Sequence, residues 1–89
     1  YFYIARCYDQ SGDTKQAEKY YKKTIRYTLY PTEANYYLGL LYKYKMGNIP
    51  KAIPYLKASR ELLLKGYKQQ DIYVELFDEV YLTQVTEEF

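Results

Sequence analysis

Apolar residues recur along the chain at helical spacing. Tyr1, Ile4, Ala5 and Tyr8 follow the i, i+3, i+4, i+7 rule that gathers side chains on one stripe of a helix. Gly12 ends that run, because glycine tolerates the left-handed backbone past a helix end, and Asp13 starts the next by accepting hydrogen bonds from free first-turn amides, with Gln16 placed to reach back. A second helix over about 14–29 turns Ala17, Tyr20, Tyr21, Thr24, Ile25 and Thr28 inward. Pro31 disfavours helix at Tyr30, and Thr32 is the expected cap of a third helix over about 33–46, with Asn35, Leu38, Gly39 and Tyr42 on its stripe. Asn48 caps a fourth helix running to about Lys65, with Pro50 tolerated in its first turn. Pro54, deeper in that helix, predicts a bend or a late start, and Gly66 closes it. A fifth helix follows over about 69–83. Helices joined by so few residues must run antiparallel.

Two of these stretches are copies of one another. Residues 11–25 are written again at 46–59, with Gly12 matching Gly47, Asp13 matching Asn48, Ala17 matching Ala52 and Tyr20 matching Tyr55, each 35 positions apart. The helices before those turns match at 34 positions instead, Tyr1 to Asn35 and Tyr8 to Tyr42, so one residue has been inserted before Gly47. A period of this length predicts stacked helical hairpins. Tyr73, Val74 and Phe77 continue the pattern, but Leu82 and Thr83 stand where the next turn would be, as expected of a terminal cap.

The order of a bulky residue, Leu-Gly, Tyr, Ala and an aromatic resembles the tetratricopeptide repeat. The first copy supplies Tyr1, Ile4-Ala5, Tyr8, Ala17 and Tyr21, and the second Leu38-Gly39, Tyr42, Ala52 and Leu56. Pro31 lies two places late, and Thr24 and Ser59 fill the last small position. The resemblance implies an all-α fold, a right-handed α-solenoid of antiparallel helix pairs with about two and a half repeats in five helices. Its divisions would fall at 1–31, 32–66 and a partial repeat or capping helix over 67–89. Since Tyr1 sits in mid-pattern, further repeats are expected before it in a longer protein, or self-association through that end.

The same resemblance implies a protein-binding scaffold in which the first helix of each pair lines a concave groove. Opposite the core stripe stand Tyr3, Arg6 and Gln10, with Tyr37, Leu40 and Tyr44 at the equivalent places and Phe2 and Tyr36 flanking them. Arg6 and Lys43 are the only cations of this set, which favours a hydrophobic or mixed peptide over a terminal carboxylate. Aromatic and Arg side chains are the usual anchors of interfaces.

Composition narrows the chemistry. There are 15 Tyr, no His, no Trp and one Cys, so no disulfide, Cys/His dyad or transition-metal cluster is expected, and no cofactor. Adjacent acids such as Asp78 with Glu79 read as solvated surface, and no phosphate loop or nucleophile elbow is present, so no enzyme and no small-molecule substrate are expected. Nor is there a targeting stretch or an apolar run long enough for membrane insertion. The net charge of +2 hides an asymmetry: residues 1–68 hold all 13 basic residues, whereas residues 69–89 hold six acids and no base. Lys15, Lys19, Lys22, Lys23 and Arg26 form a basic edge on the second helix, the alternative being an RNA or anionic-surface module. A solvated helix face carries such charges routinely, so nucleic acid is the weaker reading.

Overall fold

The structure, a computed structural model, describes residues 1–67 and 80–89. Regular structure among these residues is helical throughout: α1 (Phe2–Ser11), α2 (Thr14–Tyr27), α3 (Thr32–Leu40) running on into a π-helical turn (Leu41–Lys45), α4 (Ile49–Leu64) and α5 (Leu82–Glu87). The helices form an α-solenoid. Each of the first two pairs packs within itself, and α2 joins the pairs by lying against α3.

The turns follow the backbone logic of their residues. Gly12 takes φ 89°, its N–H donating to Asp9 O at 3.2 Å while Asp13 N–H donates to Tyr8 O at 3.0 Å, which together satisfy the last carbonyls of α1. The Asp13 carboxylate then accepts from Gln16 N–H at 3.2 Å to open α2. Asn48 does the same for α4, accepting from Lys51 N–H at 3.1 Å. Between the two copies lies the extra residue, and it is absorbed by the π turn. Asn48 N–H donates to Tyr42 O at 2.8 Å, closing the end of the third helix onto the same Tyr position as in the first copy but across one more residue. A π turn is an α-helix carrying one insertion.

Several expectations are corrected. Thr32 is the first residue of α3 rather than its cap; its hydroxyl donates to Tyr67 O at 2.9 Å, and the neighbouring Tyr30 and Tyr67 rings stack with centroids 4.0 Å apart. α2 stops at Tyr27 because Thr28 is already extended. α4 starts at Ile49 with no delay, and Pro54, inside it, lies on the solvent side. The fifth helix expected over 69–83 lies mostly outside the described residues; its described end is not helical at Tyr81, and α5 begins only at Leu82.

The core also sits differently on α1. Phe2, Ala5 and Asp9 are its buried face, whereas Tyr1 is 57% and Ile4 42% exposed. Ala17, Tyr21, Leu38, Tyr42, Ala52 and Leu56 are buried as the pattern required. Close approach of α3 and α4 depends on Gly39: a Cβ there would lie 2.7 Å from both Cγ and Cδ2 of Leu56.

The C-terminal segment docks on the second pair. Val80 and Val85 are fully buried, Val80 N–H donates to the buried Glu33 carboxylate at 3.4 Å, and the Arg60 guanidinium lies 4.6 Å from the Phe89 ring centre. Glu88 turns inward to Lys43 Nζ at 3.0 Å, so the acidic tail neutralises part of the basic body.

Candidate functional site

α1 and the π turn face one another across a concave depression of about 330 Å³, lined by Arg6, Asp9, Gln10, Tyr37, Leu40, Leu41, Tyr44 and Lys45. It gathers five residues of the expected groove: Arg6, Gln10, Tyr37, Leu40 and Tyr44. The other four go elsewhere. Phe2 and Tyr36 are only 2% and 6% exposed: the Phe2 ring lies 6.0 Å from that of Tyr37 at the seam between the hairpins, whereas Tyr36 turns toward the C-terminal end, where Glu88 and Glu87 act on it. Tyr3 lies on a different side of α1, over a second hollow of about 410 Å³ with Ile4, Cys7, Tyr8 and Ser11. Lys43 is turned to Glu88.

Three lining residues escaped the reading of the sequence: Asp9, Leu41 and Lys45. Asp9 lies three residues beyond Arg6 and shares the stripe of Phe2 and Ala5, a signal that a buried acid with partners could be recognised by. Leu41 and Lys45 depend on the inserted residue, because the π turn shifts the last residues of the third helix around its axis.

Asp9 organises the charges at this site. Its carboxylate accepts from Tyr21 Oη at 2.6 Å and Arg6 Nη1 at 3.4 Å, and Lys45 Nζ donates to both the carboxylate and the Asp9 carbonyl. Burial pushes the Tyr21 phenol far above its ordinary pKa and Asp9 adds to this, with Arg6 opposing, so Tyr21 remains a hydrogen-bond donor across the ordinary pH range. Arg6 is held a second time by the face of Tyr37, 4.0 Å from its guanidinium carbon. A matching joint lies beneath, where Tyr42 Oη donates to Glu18, whose carboxyl is held below its ordinary pKa chiefly by that bond, against an opposing contribution from burial and with help from Lys22 and Lys51. Tyr42 moves the other way, raised by burial and then by Glu18. Among the described residues no buried side-chain polar atom lacks a partner. The depression therefore has fixed walls: cations anchored by an acid, and an apolar floor of Tyr37, Leu40 and Leu41.

The basic edge of α2 is engaged with its own surroundings. Lys22 Nζ lies 3.7 Å from Glu18, Lys19 and Lys23 sit 5.7 and 5.2 Å from the Tyr20 ring centre, and Arg26 lies 5.5 Å from that of Tyr27. No group of three or more His, Cys, Asp or Glu is placed to hold a metal ion among the described residues, and none of their helices is long and apolar enough to cross a membrane.

Comparison with known proteins agrees with the geometry. A family model described as the tetratricopeptide repeat matches twice, at residues 1–31 and 33–62. Searches of curated proteins and of solved structures returned no significant match. The two matches span well over half the chain and fall on the two helical hairpins, each turning at a glycine and capping its second helix with an Asp or Asn; the chain belongs to the tetratricopeptide-repeat family.

Proposed function

We propose that this chain is a non-catalytic scaffold whose concave depression between α1 and the π turn receives a peptide or helix of a partner protein. Its repeats divide at 1–31, 32–66 and a terminal portion over 67–89. Tetratricopeptide repeats generally mediate protein–protein interaction. The observation that carries the reading is the combination in one hollow of an apolar floor, Tyr37, Leu40 and Leu41, with Arg6 and Lys45 already fixed by Asp9. Side chains that need not be ordered on binding lose less entropy when a partner arrives. Tyr44, 64% exposed at the rim, offers its ring while its hydroxyl is held by Glu88 at 2.6 Å, and Tyr is a residue type enriched among interface anchors. The ligand this suits is an apolar or mixed segment, its polar groups meeting the rim.

The test is selection of a displayed peptide library against the folded chain, followed by affinities for Leu40→Ala and Tyr44→Ala, with Lys22→Ala as a control outside the hollow. Affinity should fall about tenfold or more for the first two and stay level for the control. Selected peptides that bind the two groove variants as tightly as the parent chain would remove the groove from consideration.

A further inference from the structure

The hollow between α1 and the π turn has an electrical sign. Its lining includes two cations, Arg6 and Lys45, and one acid, Asp9. Burial decides which of them a ligand meets. The Asp9 side chain is 9% exposed and accepts from Tyr21, Arg6 and Lys45, whereas the Lys45 side chain is 43% exposed. The acid is therefore neutralised inside the wall, and the surplus positive charge lies at the surface. Lys45 also keeps donor capacity, since an ammonium has three N–H groups and the Asp9 carbonyl and carboxylate take two. An acid brought to this place meets a cation already held, which lowers the ordering cost of the pair.

The same turn already holds one such pairing on its other side. Lys43 Nζ and Tyr44 Oη both donate to Glu88 Oε2, at 3.0 and 2.6 Å, and Val85, three residues before Glu88, is fully buried. An apolar residue and an acid carried on one helical turn thus dock at this end of the second hairpin. Lys45, two residues after Lys43, faces the hollow instead, beside the apolar floor of Tyr37, Leu40 and Leu41.

We propose, resting on the groove reading above, that the hollow selects a partner segment carrying an acidic side chain among apolar ones. The apolar residues lie on Tyr37, Leu40 and Leu41, and an Asp or Glu pairs with Lys45. The carboxylate belongs to a side chain, as that of Glu88 does, rather than to a chain end. A pairing at a partly wet rim discriminates between ligands more than it adds affinity, and salt weakens it.

The probes are peptides selected from a displayed library on the folded chain and remade with amidated ends. Those whose affinity falls with Leu40→Ala should be richer in Asp and Glu than in Lys and Arg. Replacing the acid of such a peptide by Gln should weaken binding about two- to fivefold in low salt and less in molar salt. This comparison uses the unaltered chain, so it holds however a variant folds. On Lys45→Gln, its fold checked by circular dichroism, the same replacement in the peptide should have little further effect, because the two changes remove one interaction. Peptides that depend on Leu40 yet bind equally well with Gln or Lys in place of the acid overturn the proposal and leave the groove standing. Indifference to Leu40→Ala removes the groove and the proposal together. Binding lost on amidation would assign the acid to a chain end, and an acid effect undiminished in Lys45→Gln would assign it to another cation; either result overturns the proposal as well.

Discussion

Ile4 and Leu38 occupy the same place in successive copies of the repeat, as do Tyr8 and Tyr42, yet Ile4 is 42% exposed and Leu38 and Tyr42 are wholly enclosed. Their helices carry similar stripes and end in matching glycine turns. What separates them is the neighbour: α3 has the preceding hairpin against it, and α1 has none in this structure. In a stack of repeats, burial belongs to the joint between units rather than to the unit itself. A stripe in the sequence marks a surface able to be buried, and position in the stack decides whether it is.

The largest expected effect follows directly. Leu38→Ala empties an enclosed site and should cost about 3 kcal/mol, within the usual range for such truncations. Ile4→Ala, at the equivalent place, removes a side chain that is already partly in water and should cost under about 1 kcal/mol. Urea unfolding of both variants gives the comparison, and equal losses would mean that α1 is covered in solution.

A second pair concerns close approach. The first copy has Ala5 where the second has Gly39, and opposite them stand Tyr21 and Leu56. Adding a methyl at Gly39 drives it into two atoms of an enclosed Leu56, so Gly39→Ala should lose about 1–3 kcal/mol by overpacking. The better helix propensity of Ala, about 1 kcal/mol, offsets part of this. Ala5→Gly gives up only that propensity and a small contact. A Gly39→Ala chain as stable as its parent would show that α3 and α4 can separate without penalty.

These pairs also show where the sequence could be read and where it could not. The glycine turns and the caps that follow them were legible, since Gly12, Asp13, Gly47 and Asn48 act locally through backbone angles and first-turn amides, whereas the cap expected at Thr32 was not one. The enclosed set of Ala17, Tyr21, Ala52 and Leu56 was legible too, because both copies share it. The rotation of α1 toward Phe2, Ala5 and Asp9 was not, as stripe residues alone do not say which side a neighbour will cover. The insertion before Gly47 was visible as a change of spacing from 34 to 35, but a loop and a π turn could absorb it equally well. That choice matters at the hollow, where Lys45 rather than Lys43 lines the wall and Lys43 faces Glu88.

Smaller and nearly equal effects are expected at the two caps. Asp13→Ala and Asn48→Ala each remove one acceptor from a first-turn amide, at 3.2 and 3.1 Å, and each should cost about 1 kcal/mol. Equality is the informative result, because the cap is local where the core is not. A several-fold disparity, read by urea unfolding, would reveal that the π turn strains the second hairpin.

The smallest effect is a pH dependence at the end of the second hairpin, where α5 stands in for the neighbour that α1 lacks. Burial opposes ionisation of Glu88, but bonds from Tyr44 Oη at 2.6 Å and Lys43 outweigh it and hold its carboxyl below the ordinary value of 4.5. A lowered folded pKa favours the native state in full above the ordinary value, and that contribution is lost as the pH falls below 4.5 through the folded pKa. The pair is partly wet, so the change should be only a few-fold in the hydrogen-exchange protection of α5 amides. Glu18 is lowered too and titrates in the same acid window, but its partners lie on α2, α4 and the π turn. Of these two carboxyls only Glu88 bears on α5, and Glu88→Gln should flatten the acid step of its amides while leaving the α2 amides unchanged. An acid step that survives in the variant would assign it to another carboxyl at this end, such as the buried Glu33 that accepts from Val80 N–H.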